Sequence, residues 1–249
     1  LFFVSKSKMY WYLLVIPINK KQEEFITMQE SKQNTKYIRY ITFMAAFSAL
    51  AYISVIFLKI PMIVFLKYEP KDVFVILGGL IFGPLFTIFL SIIVPFLELI
   101  TVSSTGIIGF IMNAISTFFY VLPPVLFYAK RRSTKSLLYG LIIGTIVLTI
   151  VMIMWNYFLA PIFFGYTREA AVQILVPVIL PFNLIKGGIN AVLILLLYKP
   201  VTNVLVKSNI LKKIDFEGFK NERKIITSIV ATMLILTVIF VILSYFNVV

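Results

Sequence analysis

The chain has no cysteine and no histidine in its 249 residues. Those two absences remove disulfides, thiol nucleophiles, Cys/His metal centres and Ser-His-Asp triads together. Charge is scarce as well: 13% of residues are Asp, Glu, Lys or Arg, about half of what a soluble domain carries. No G-x-x-x-x-G-K-[ST] motif occurs, so the chain cannot hydrolyse ATP through a P-loop. It holds no HExxH and no regular arginine ladder, which disfavours an intramembrane hydrolase and a voltage sensor.

What is there is apolar. Hydrophobic residues make up 61% of the chain, and the mean hydropathy is +1.01. The composition is that of an all-α, polytopic membrane protein rather than of a disordered one. The net charge of +13 is carried by lysines and arginines clustered between apolar runs, not spread over one face. Loop bias in a membrane protein explains such clusters better than nucleic-acid binding does.

A helical span needs about 20 mostly apolar residues. Runs fit near 38–58, 72–82, 84–100, 107–129, 137–160, 177–198 and 224–246. The second is short and is separated from the third by Gly83-Pro84, a helix-breaking pair that predicts two helices joined by a tight turn. Basic clusters at Lys32, Lys36 and Arg39, at Lys130, Arg131, Arg132 and Lys135, and at Lys199, Lys207, Lys212 and Lys213 are separated by even numbers of crossings. Placing all three in the cytoplasm makes the N-terminus cytoplasmic and 59–71, 101–106 and 161–176 external.

The expected organisation is a six-helix domain over 28–213. Residues 1–27 read as an extension whose apolar stretch, Met9 to Ile18, is too short to span and lacks a cleavage site. Residues 214–249 read as a polar linker and a seventh, C-terminal span.

Polar side chains inside spans cost about 2.5–3.5 kcal/mol at the bilayer centre on insertion scales, and they usually face a cavity or a partner. Glu98, Asn113, Asn156, Asn183, Lys186 and Asn190 fall inside spans. The three-and-four spacing of Asn183, Lys186 and Asn190 puts them on one helix face, and Gly187 and Gly188 leave room beside them. Each asparagine alone could be interhelical glue, worth about 0.6 kcal/mol on average. Lys186 could instead snorkel outward, and Glu98 could be its salt-bridge partner and nothing more. Glu98, Asn156, Asn183 and Lys186, however, all lie toward the external half, and the joint pattern reads as an outward-facing polar pocket. The aromatic residues Tyr68, Phe158, Phe163, Phe164 and Tyr166 lie in or near the external segments, where rings can cover a planar ligand.

In the first span Ala45 and Ala49 form a small-xxx-small pair. Such pairs let helices approach closely, either within the bundle or with a partner.

Three stretches carry a resemblance: the Ala45/Ala49 pair, "YEPKDVFVILGGLIFGP" at Tyr68–Pro84 and "PFNLIKGGINAVLILLLYKP" at Pro181–Pro200. The chain resembles the riboflavin-specific substrate-binding components, or S components, of energy-coupling factor (ECF) vitamin transporters, over residues 28–213. The resemblance implies a six-helix bundle in the cell membrane and no enzymatic activity. It also implies a vitamin pocket near the external face, closed by the loop after the first span. Riboflavin would be the transported ligand, not a cofactor, and no metal is implied. Asn183 and Lys186 would bond the flavin's pyrimidine edge; Asn156, Asn190, Glu98, Ser104 and Thr105 are the further candidates. Ala45 and Ala49 would dock on the coupling subunit, the T component, and two separate ATPase subunits would drive uptake. A transporter acting without ATPases, an S component for another flavin or vitamin, and a scaffold protein remain as alternatives.

Overall fold

The computed structural model describes residues 20–63, 66–103, 105–165 and 167–207. The expectations for residues 1–19, for Ser104 and for the linker and seventh span at 214–249 lie outside these residues. The described part is helical except for one hairpin: α1 (Lys20–Phe57), β1 (Ile60–Ile63), β2 (Leu66–Tyr68), α2 (Lys71–Phe82), α3 (Pro84–Thr101), α4 (Gly106–Lys130), α5 (Thr134–Phe164), α6 (Arg168–Ile174) and α7 (Leu180–Lys207). The chain divides into two compact units, residues 1–43 and 44–249. The first contributes the beginning of α1, which starts at Lys20, ahead of the boundary drawn at Met28. The second holds the rest of α1 and every other described element.

Five described helical segments are long and apolar enough to cross a membrane: Tyr37–Phe57, α3, α4, most of α5 and Arg168–Val204. Many of their large apolar side chains, Ile53, Leu85, Ile92, Ile107, Ile146 and Leu196 among them, face outward. In water that would be a liability. In lipid it is the expected exterior. The second span of the sequence reading is α2. With 12 residues it covers about 18 Å, too short for a bilayer core of about 30 Å.

The break between α2 and α3 falls where the Gly-Pro pair put it. Gly83 has φ +97°, a region an L side chain enters only with strain, and Pro84 opens α3 where its missing N–H costs nothing. Tight turns also join α4 to α5, where Ser133 accepts from the Ser136 N–H at 3.2 Å. The turn at Gly83, the α4–α5 turn and the end of α7 therefore lie at one end of the bundle. The β-hairpin, the α3–α4 connection and the α5–α6 connection lie at the other, the hairpin end.

The helices are held together by size complementarity. Phe47 of α1 meets Phe82 and Phe86 edge-on, with centroids 6.3 and 6.0 Å away, while those two stack at 4.8 Å. Pairs of this kind contribute about 0.5–1.5 kcal/mol each beyond burial. Gly140 and Gly144 bring α5 against the backbone of α4: a β-carbon at Gly140 would lie 2.4 Å from Pro124 Cα, and one at Gly144 would lie 2.5 Å from the Tyr120 carbonyl oxygen. At the turn end the Tyr128 and Tyr198 hydroxyls hydrogen-bond, tying α4 to α7.

Two features depart from the sequence reading. The segment taken as a plain external loop contains the antiparallel pair β1–β2, with Ile60 opposite Tyr68 and Ile63 opposite Leu66. The last span also begins earlier than expected, because α6 runs into a π-helical turn, Leu175–Ile179, and on into α7. Pro177 and Pro181 explain the turn. A proline at 181 has no N–H to give an α-helical acceptor four residues back, so the local register widens, and the Leu180 N–H bonds Leu175 O instead.

Candidate functional site

The polar side chains that sequence placed inside spans gather at the hairpin end, and they gather around two residues at the junction of the external segment 59–71 and the run 72–82. Lys71 and Asp72 open α2 with 1% and 0% of their surface exposed. A charge so deeply buried must be paired. Being consecutive in a helix, the two side chains point about 100° apart, so each is paired in a different direction.

Lys71 turns toward α3. Its Nζ donates to Glu98 Oε1 at 2.7 Å and Oε2 at 2.8 Å, and lies 3.3 Å from Glu69 Oε2. Asn113 of α4 donates to Glu98 Oε2 at 3.1 Å. Lys59, at the edge of the hairpin, closes the chain through Glu69 Oε1 at 2.8 Å. Burial favours the neutral form of Glu69, but the ammonium groups of Lys71 and Lys59 outweigh it and hold the carboxyl below its usual range. Glu98 is thus the partner of Lys71. It is not the partner of Lys186, as the simpler sequence alternative had it, because α2 inserts between them.

Asp72 turns toward α4 and α7. Thr117 donates to its Oδ1 at 2.9 Å and Asn190 Nδ2 to its Oδ2 at 3.4 Å, while Lys186 Nζ stands 3.1 Å from Oδ2. Tyr68, the last residue of β2, donates its hydroxyl to Asn190 Oδ1 at 2.7 Å. Tyr120 of α4 donates to the Gly187 carbonyl at 3.0 Å. Gly187 also lets α5 come close on its other side: a β-carbon there would fall 2.5 Å from Thr145 Cγ2. Lys186 therefore turns inward, buried, rather than snorkelling to the surface.

Asn183 and Lys186 occupy the same inward face of α7, one turn apart, and Asn183 is 3% exposed. Its Nδ2 donates to the Ile179 carbonyl at 2.7 Å, at the end of the π turn. Asn156 of α5 does the same with Met152 O at 2.8 Å. In both, one N–H is committed to the helix's own backbone, which fixes the amide and leaves its oxygen and second N–H to point elsewhere. Asn190 differs. It has no exposed surface, and its amide is shared between Asp72 and Tyr68. Thr105 is exposed at the start of α4, its N–H donating to Ser103 Oγ at 3.3 Å.

The sequence reading missed Lys71, Asp72, Thr117 and Tyr120, and gave Tyr68 only as a stacking ring. One signal was available: adjacent opposite charges at the head of an apolar helix too short to span. Among the described residues no cluster of three or more acidic, Cys or His side chains is placed to hold a metal.

A chain with this architecture has known relatives. The family model "ECF transporter, substrate-specific component" matches residues 39–198. The riboflavin transporter RibU of Staphylococcus aureus is 32% identical over 189 residues, covering 72% of this chain and 95% of the relative. RibU of Streptococcus thermophilus is 30% identical, covering 70% and 86%. The riboflavin transporter FmnP of Bacillus subtilis is 33% identical, covering 54% of this chain and 75% of its own. A solved structure described as the S component of a bacterial ECF transporter superposes with a TM-score of 0.58 at 33% identity, covering 70% of this chain and 98% of that one. The fold, the span order and a family match over more than half of the chain agree, and the chain belongs to the substrate-specific components of ECF transporters.

Proposed function

We propose that this protein is the riboflavin-binding membrane subunit of an ECF transporter, taking up the vitamin with energy from ATP hydrolysed by separate subunits. The ligand comes from the relatives, which are named as riboflavin transporters. The observation that carries the reading on this chain is the inward face of α7, where Asn183 and Lys186 present an oriented amide and an ammonium at the hairpin end of an otherwise apolar bundle.

The chemistry suits a flavin. Its pyrimidine edge shows carbonyl acceptors flanking an N–H. The Asn183 oxygen accepts from that N–H, and Lys186 donates to a carbonyl or ring nitrogen. Asn156, whose amide is fixed in the same way, supplies a second amide from α5. The dimethylbenzene end needs only apolar walls. Asn190 and Glu98, both held by protein partners, support the site from behind rather than touching the ligand. Thr105, exposed at the start of α4 with Ser104 beside it in sequence, would serve the hydroxyls of a ribityl chain.

Orientation follows from charge. Lys130, Arg131, Arg132 and Lys135 are exposed at the turn end, and Lys207 closes α7 there. The turn end and the N-terminus are then cytoplasmic, and the hairpin end faces outward. On α1, Ala45 and Ala49 are exposed while Phe47, Ser48, Ala51 and Val55 are buried. That supports a pair that looks away from the bundle, toward the T component.

Two measurements test the reading. Mass spectrometry of the purified protein should find riboflavin bound, and flavin fluorescence should be quenched on titration; a different ligand, or none, sinks the assignment. Replacing Ala45 and Ala49 with Trp should leave that affinity intact and abolish co-purification with the T component and uptake in cells, because helix association in lipid depends on close contact. Loss of both together would return the pair to internal packing.

A further inference from the structure

The flavin reading leaves Asp72 unaccounted for. It has no exposed surface and therefore cannot touch a ligand, yet three other segments reach it: Thr117 from α4, Asn190 and Lys186 from α7, and Tyr68 from β2 by way of Asn190. A buried carboxylate is costly unless what it orders is worth the cost. Its neighbours differ in what they have left over. Thr117 has given its one hydroxyl hydrogen, and Asn190 has its amide oxygen and one N–H engaged. Lys186 has three hydrogens, and the one Asp72 oxygen, 3.1 Å away, takes only one of them.

We propose that Asp72 is a positioning residue of the binding site: it holds the Lys186 ammonium in place and aims its remaining donors at the ligand. The geometry is that of a counter-ion placed behind a donor. A lysine on four rotatable bonds loses rotamer freedom when fixed; here the fixing is done before any ligand arrives. Asp72 also links Lys186 to β2, since the carboxylate holds the Asn190 amide, and that amide accepts the Tyr68 hydroxyl. The segment beside the site and the donor inside it therefore share one anion.

This inference rests on the flavin reading, so the experiment separates the two. Riboflavin is titrated by fluorescence quenching into the full-length wild type, Asp72→Asn, Lys186→Met and the double variant, and the melting temperature of each is recorded without ligand. Wild type should bind. Asp72→Asn, which preserves shape and removes only charge, should weaken binding tenfold or more. The double variant should bind no more weakly than Lys186→Met alone, and it should melt above Asp72→Asn because no buried charge is left unpaired. Losses in affinity that multiply across the cycle would show that Asp72 acts independently of Lys186 and would overturn the proposal, as would wild-type affinity in Asp72→Asn. A wild type that fails to bind riboflavin would instead reject the flavin reading and the positioning role with it.

Discussion

Lys71 and Asp72 are neighbours in the chain and both are out of water, but the clusters they organise are built differently. Around Lys71 the charges are matched: two lysines, Lys59 and Lys71, meet two glutamates, Glu69 and Glu98, and Asn113 adds a donor to Glu98. Four segments are fastened there, and Glu98 is fully occupied. Around Asp72 the anion is surrounded by donors, one of which, Lys186, retains hydrogens after the carboxylate is satisfied. The buried ammonium of the first cluster meets three carboxylate oxygens and that of the second meets one. A polar cluster in a membrane bundle can thus serve as a fastener or as a socket, and what separates the two is whether its buried lysine has donors left over.

The comparison can be broken most forcefully at Lys71. Lys71→Met strands Glu98 and weakens the hold on Glu69, and removing one partner of a buried pair costs about 3–5 kcal/mol. The melting temperature of the detergent-purified protein should fall by many degrees, with affinity lost only as far as folding is lost. A fully stable Lys71→Met would show that the cluster fastens nothing. Asn183→Ala should do the opposite: riboflavin binding weakens by about 1–3 kcal/mol as a ligand group goes unpaired, with a smaller change in melting temperature. Equal effects on both quantities would erase the distinction between the clusters.

Tyr68→Phe sharpens the contrast further. It deletes the one hydroxyl joining β2 to Asn190, worth about 1 kcal/mol. Dissociation of riboflavin, followed by recovery of fluorescence, should quicken several-fold while melting moves little; an unchanged dissociation rate would detach the hairpin from the site.

The smallest effect is acid. Glu69 has its carboxyl held below the ordinary value of 4.5, so its pairing stabilises the fold fully above that value. The contribution disappears as pH falls below 4.5 through the lower, folded value. Stability should therefore be flat in this respect from pH 7 to about 5 and decline below. Glu69→Gln should remove part of that acid decline, and an identical acid profile in the variant would mean that another carboxylate carries it.

Much of the architecture was written in patterns a one-dimensional reading can use. The apolar runs matched helices α1 to α5, Gly83-Pro84 marked the break, and the three-and-four spacing of Asn183, Lys186 and Asn190 put them on one buried face. The partners were harder to read. Lys71 and Asp72 fall where an external segment meets an apolar run, and nothing in the order of residues tells how deep a helix start lies. Asn190 looked like Asn183 by spacing, yet its amide is consumed by Tyr68 and Asp72, residues 122 and 118 positions away. The π turn was legible in principle from the proline at 181, which has no N–H for the carbonyl four residues back.

The brevity of α2 has a consequence for how the protein is made. Twelve residues that open with a lysine and an aspartate are too short and too charged at one end to enter a bilayer as an independent span. During synthesis α2 gains a membrane-crossing companion only when α3 follows through the Gly83 turn, so the two are expected to insert as one hairpin. Even then Lys71 waits for Glu98 near the far end of α3, and Asp72 waits for Thr117 on α4 and for Lys186 and Asn190 on α7. Neutralisation of this short helix is therefore spread along the order of translation, and its last partner arrives only when nearly the whole bundle has left the ribosome.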